Sequence, residues 1–276
     1  MTVGLLSFAS VPIVSPFVLN LSFDASAQAA PQSFRDTCNA AAAALMAVIT
    51  DPITMNIIVG YNETPDGLGG SVATNLGAGA RSSDLGETTG GINQTSYTTI
   101  RAALSAKASR SANSTSLLNS LPNTSSLNGS SNFYLPRGLG KALGLIAAND
   151  PALDGSSGIG SSVPAANLLG VCIHEFTHAM GREHGSAPFD FCRFLSPPPG
   201  ARNFGAGSTS PAQYFSVDGG ATSLVSLATS SDPGDFAATN GDIFQALYAP
   251  GVTQNPLSAV DLKVLDAIGF TVLGVV

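Results

Sequence analysis

Every histidine of the 276-residue chain falls within eleven residues, His174-Glu175-Phe176-Thr177-His178-Ala179-Met180-Gly181-Arg182-Glu183-His184. On an α-helix His174 and His178 stand one turn apart on the same face, so both imidazoles reach a single ion from one side. Glu175 lies about 100° around the helix from His174, which keeps its carboxylate out of direct ligation but within reach of a metal-activated water, the place of a general base. A third ligand requires the chain to turn back after His178. Gly181 supplies the turn, because it adopts the left-handed conformation that ends a helix without a Cβ clash, and His184 then closes the site. Three neutral imidazoles with a fourth position open form a catalytic zinc site, whereas a closed structural site recruits cysteines.

The pattern H-E-x-x-H-x-x-G-x-x-H resembles the signature of the metzincin zinc endopeptidases. The resemblance implies one catalytic Zn2+ on His174, His178 and His184, with Glu175 as base and proton shuttle. One feature departs from it. Metzincins carry a methionine turn beneath the metal, and the methionines here are Met1, Met46, Met55 and Met180, none of them beyond His184. The segments Ala212 to Gly220 and Ala259 to Phe270 are similar to secreted bacterial metalloproteases, and that similarity runs from about Phe17 onward. It implies a secreted or extracellular location.

Composition narrows the alternatives. Charged residues make up 11% of the chain, with 18 acidic against 11 basic and no cluster of Lys or Arg, which argues against nucleic acid or an anionic membrane as partner. An apolar content of 44% suffices for one large core. Three cysteines, Cys38, Cys172 and Cys192, allow one disulfide, and sequence alone does not pair them. Residues 1–16 form an apolar segment without a basic start, interrupted by Pro12 and Pro16, and read either as the remnant of a longer leader or as a mispredicted start, in both cases too short to span a membrane. Residues 17–276 read as a single catalytic domain, with an upper lobe over 17–185 and a lower lobe over 186–276.

The elements that must position the histidines follow from periodicity. Phe17 to Phe23 and the β-branched run Ile53 to Val59 read as strands, joined by an amphipathic helix from Pro31 to about Ile49 with Phe34, Cys38, Ala41, Leu45 and Val48 on one stripe; strand, helix, strand implies a parallel crossover. Residues 60–91 read as loops with one or two short strands. Tyr97 to Ala108 and Ser116 to Leu121 read as helices, Asn132 to Pro136 as a strand leading into a short helix through about Ala147. The metal helix runs from about Val163 to Met180, with Leu169, Cys172, Ile173, Phe176 and Met180 as its core-facing stripe. A final helix over about 257–268 starts at a Ser258 cap and stops at Gly269, with Asp261 and Asp266 facing solvent or capping neighbours. The fold expected is α+β: a twisted mixed sheet with helices above, a loop-rich lobe below, and the cleft between them.

Several residues outside the motif have two readings. Gly158 to Ser162 is either the cleft wall that pairs with an extended substrate or a flexible connector. Asp190 and Asp218 are either carboxylate partners of a ligand imidazole or solvated. Tyr214 is either an oxyanion donor or a half-buried strand tyrosine. Asp232, Asp235, Asn240 and Asp242 could supply oxygens to Ca2+, although their spacing matches no EF-hand loop, so calcium is left open and not predicted. In place of the missing methionine, the turn Tyr214 to Gly220 is expected beneath the histidines, with Phe215 or Val217 packing on them; the alternative floor lies near Tyr248. The function expected is zinc-dependent endopeptidase action of a monomer on peptide or protein substrates. The alternative is a binding or adhesion protein that retains a structural zinc site, against which stands Glu175, a residue such a site does not need.

Overall fold

The computed structural model describes residues 17–62, 86–90, 92–205, 211–229, 232–237, 242–246 and 257–275; the leader-like segment 1–16, Asn240 and Tyr248 lie outside the described residues. The architecture is α+β. β1 (Val18–Phe23) is followed by a short α1 (Ala25–Ala29), then by α2 (Gln32–Val48) and β2 (Thr54–Tyr61). β1 and β2 pair in parallel, as the crossover requires, with Leu19 opposite Met55 and Leu21 opposite Ile57. β3 (Gly86–Gly90) and β4 (Ile92–Ser96) come next, then α3 (Tyr97–Lys107), α4 (Ala112–Ser120), β5 (Asn132–Pro136), α5 (Arg137–Ala142), β6 (Gly155–Ile159) and α6 (Ala165–Met180). β7 (Arg193–Leu195), β8 (Gln213–Phe215), β9 (Val225–Leu227) and α7 (Ala259–Ile268) complete the chain.

The main sheet has the order β1-β2-β6-β3, with β2 and β6 parallel and β3 antiparallel at the edge. α2 and α6 lie against each other and against this sheet, α2 over β1 and α6 over β6 and β3. Their contact buries Phe34, Cys38, Ala41, Ala42 and Leu45 from α2 and Cys172, Ile173, Phe176 and Met180 from α6. Leu169, placed on that stripe by its spacing, is instead 42% exposed, immediately before the buried stretch that begins at Gly170.

Of the stretch Gly158 to Ser162, read either as a cleft wall or as a connector, Gly158 and Ile159 belong to the strand Gly155–Ile159. That strand pairs on both sides, with β2 and with β3, and is buried throughout. Its glycine has another use: a Cβ on Gly155 would stand 2.7 Å from the Ala179 Cβ, so the missing side chain lets α6 settle onto the sheet. The edge position on this side falls to β3.

Two smaller sheets sit beside the first, the antiparallel pair β4-β5 and the antiparallel β7-β8-β9 of the region after the metal helix. α7 begins in a capping box in which Ser258 and Asp261 exchange side-chain and backbone bonds, and ends at Gly269 with φ 137°. Asp266 is buried and not solvated: it accepts from Ser111 Oγ at 2.7 Å, Asn113 Nδ2 at 2.8 Å and Ser114 Oγ at 2.8 Å, and pairs with Arg110 at 3.1 Å. These bonds tie α7 to the start of α4. Among the described residues no helix is long and apolar enough to cross a membrane.

Candidate metal centre

α6 runs from a Pro164 cap to Gly181, whose φ of 128° lets its N–H turn back to the carbonyls of Thr177 and His178. That local geometry presents His174 and His178 one turn apart, their Nε2 atoms 3.1 Å from each other. Both face the same oxygen. Asp235 Oδ1, from a loop 57 residues further on, lies 3.1 Å from His178 Nε2 and 3.1 Å from His174 Nε2. The three atoms form a nearly equilateral triangle, and all three residues are buried.

The outer nitrogens define which lone pairs point inward. His174 Nδ1 donates to the Ile243 carbonyl at 2.7 Å, and His178 Nδ1 lies 3.3 Å from the Glu183 carboxylate. With those protons placed outward, both Nε2 lone pairs and a carboxylate oxygen converge on one point. Such a convergence of acceptors needs a cation or shared protons between them. Ligand atoms around a tetrahedral zinc with bonds of about 2.0–2.1 Å are about 3.3–3.4 Å apart, so the 3.1 Å edges fit an ion of that size with little movement. Without an ion, burial and the Arg182 cation oppose a proton on His178, but the bonds to Asp235 and Glu183 hold its pKa well above the usual imidazole range. Burial likewise works against the Asp235 carboxylate, and the two histidines with Arg182 hold its pKa well below the usual range.

Arg182 fixes the corner supplied by Asp235. It has no exposed surface, and its Nη1 donates to the Gly234 carbonyl and to Asp235 Oδ1, each at 2.8 Å. Nε donates to Thr177 Oγ1 at 3.1 Å, and the guanidinium carbon lies 4.3 Å from the centre of the Phe244 ring. Phe244 in turn meets His174 edge-on, with ring centres 6.4 Å apart. One side chain thus joins the end of the metal helix to both segments that close the site, 234–235 and 243–244.

His184 does not join the triangle. Its Nε2 lies 3.1 Å from Asp232 Oδ1, and Asp235 occupies the third corner that the spacing of the motif assigns to His184. Gly181 turns the chain as expected, but the anchoring of Arg182 draws the loop 232–235 under α6 and leaves His184 beside it. Among the described residues neither Asp190 nor Asp218 makes a direct bond to an imidazole, although the Asp190 carboxylate lies near enough to His184 to favour a proton on it. Asp190 lies 2.6 Å from Arg193 and accepts from Ser186 N–H; burial, against the pull of Arg193, raises its pKa to about 6. Asp218 accepts from Ser216 Oγ and Thr222 N–H. Tyr214 is a structural tyrosine, its hydroxyl donating to the Gly220 carbonyl and accepting from Gly200 N–H. Phe215 stacks on Phe189, and Asp235 and Phe244 are side chains that meet the histidines.

Sequence reasoning missed Arg182 and the placing of Asp235 against the two histidines. Asp235 was visible only as one of several carboxylates in the 232–242 stretch, with nothing local to connect it to residues 57 positions earlier. Glu175 is buried at 8% exposure on α6, next to His174, and its backbone carbonyl accepts from Ser157 Oγ of β6 at 3.5 Å. No family model, curated protein or solved structure matches the chain.

Proposed function

We propose that the protein is a metal-dependent peptidase of metzincin type, zinc being the ion, held by His174, His178 and Asp235. The observation that carries this reading is the 3.1 Å triangle of two imidazole nitrogens and a carboxylate oxygen, with a glutamate directly after the first histidine. The chemistry of the donors supports zinc: two neutral imidazoles and one carboxylate form the ligand set of several catalytic zinc sites and leave a position open.

A zinc ion held by His174, His178 and Asp235 would supply Lewis acidity toward the scissile carbonyl. Glu175 takes the proton of the attacking water and delivers it to the leaving amine, which makes it base in one half of the reaction and acid in the other. His174 and His178 are held in the required tautomer by Ile243 O and Glu183, so no reorientation is needed before the ion is taken up. β3 is one of the two edge strands of the main sheet, the one that lies against α6, and its outer backbone groups suit an extended peptide added as a further strand.

The test is a comparison of wild type with Glu175→Gln on an unfolded protein substrate, with metal content measured in both. Wild type is expected to cleave in a chelator-sensitive manner, and the variant to keep its metal while losing on the order of 10² or more in rate, as for a missing general base. Wild type that holds zinc but cleaves nothing would leave a binding protein in place of a peptidase.

A further inference from the structure

Two of the three cysteines meet across the core. Cys38 on α2 and Cys172 on α6, 134 residues apart in sequence, bring their sulfurs to 3.7 Å, and neither has exposed surface. Cys192 is also buried, in the turn before β7. We propose that Cys38 and Cys172 are the two halves of a disulfide that fastens α2 to the metal helix, with Cys192 left as the free thiol.

The geometry requires little change. A disulfide has its sulfurs about 2.05 Å apart, so a pair that stands at 3.7 Å must close by about 1.6 Å. Ala41 and Ala42 lie on the same buried face of α2 as Cys38, and such small side chains let the helices approach. Among the described residues no metal-binding group includes either thiol, so ligation does not compete for them. Each sulfur has the other as a hydrogen-bond partner.

The bond forms by exchange with an external disulfide. Two S–H bonds are lost and one S–S bond is made, while the two electrons and two protons pass to the external disulfide, which leaves as two thiols. Because both sulfurs are inaccessible once α2 lies on α6, exchange takes place during folding in an oxidising compartment. The tie joins segments far apart in the chain, where a cross-link restricts the unfolded ensemble most. It also anchors α6 two residues before His174. None of this depends on the peptidase reading.

The experiment is thiol mapping on the whole chain. Reduced, unfolded protein is refolded in a mixture of reduced and oxidised glutathione, quenched with N-ethylmaleimide in denaturant and mapped by peptide mass spectrometry. Alkylation at Cys192 alone, with a cross-linked peptide pair containing Cys38 and Cys172, is the expected result. Prior reduction should return all three sites to alkylation. The denaturation midpoint of the oxidised protein should lie above that of the reduced protein, and Cys38→Ser should behave like the reduced form. Alkylation of all three thiols after oxidative refolding, or a cross-link that contains Cys192, would overturn the proposal, and this mapping needs no variant to fold.

Discussion

Arg182 is a cation without exposed surface whose guanidinium is shared among a hydroxyl, a carbonyl, a carboxylate and a phenyl ring. Removing it would take away the guanidinium bond that holds the buried Asp235 carboxylate in register beside the two imidazoles. Arg182→Met is therefore expected to lower zinc affinity about 10–100-fold, as for other residues that orient a ligand, and to destabilise the fold by about 3–5 kcal/mol. Equilibrium dialysis and chemical unfolding measure the two effects. The same assay separates the candidate third ligands. Asp235→Asn should weaken zinc binding strongly, whereas His184→Ala, which removes only the partner of Asp232, should weaken it less; the opposite order would return the third position to His184. The pair His174 and His178 was legible in sequence because ligands one helical turn apart are a local property. Asp235 was not, since a carboxylate brought in by a loop leaves no period, and Arg182 was hidden because a buried arginine looks in sequence like any basic residue at the end of a helix.

At the scale of elements, α7 meets the loop 242–246 through two carboxyl groups. Burial, and then the neighbouring Asp242 carboxylate, raises the Asp261 pKa to about 8. The unfolded chain releases that proton near the ordinary aspartate value of about 3.9. A folded-state pKa above the unfolded one stabilises the fold at low pH, and the stabilisation is lost as pH rises through the folded value. Stability should therefore fall between about pH 4 and pH 8 on account of this group, and Asp261→Asn, neutral at every pH, should flatten the slope. Thermal unfolding across that range is the measurement; an unchanged slope in the variant would remove Asp261 from the account. The consequence reaches the metal site, because Asp242 accepts from Phe244 N–H at 2.9 Å and the intervening Ile243 carbonyl holds His174. Elements with a clear period and a stop, such as α2, α6 and α7, were legible in the chain. β6 was not: Gly-Ser-Ser-Gly-Ile has little strand propensity of its own and is a strand because β2 and β3 pair with it on either side.

For the whole molecule, the candidate ligands come from α6 and from a loop 57 residues later, so a bound ion joins two parts of the chain that are otherwise held by packing and by Arg182. Zinc present at a hundred times its dissociation constant adds about 2.7 kcal/mol to stability, which for a chain of this size corresponds to about 5–10 °C in melting temperature. Chelation should remove that increment and expose the 232–246 region to limited proteolysis; a melting temperature indifferent to chelator would argue against a metal bound at this triangle. The order of synthesis gives the same separation another meaning. A nascent chain that has emerged only as far as Met180 carries two of the three corners, and a third arrives only when residue 235 follows and Arg182 draws it in. If the protein is the zinc peptidase proposed above, the two imidazoles alone would hold the ion weakly until then, and Glu175 would have no activated centre to serve. Hydrolytic competence would on that reading be withheld from a partly made chain by the order of its own residues, and a product truncated before Asp232 should be inert toward its surroundings however well its sheet has formed.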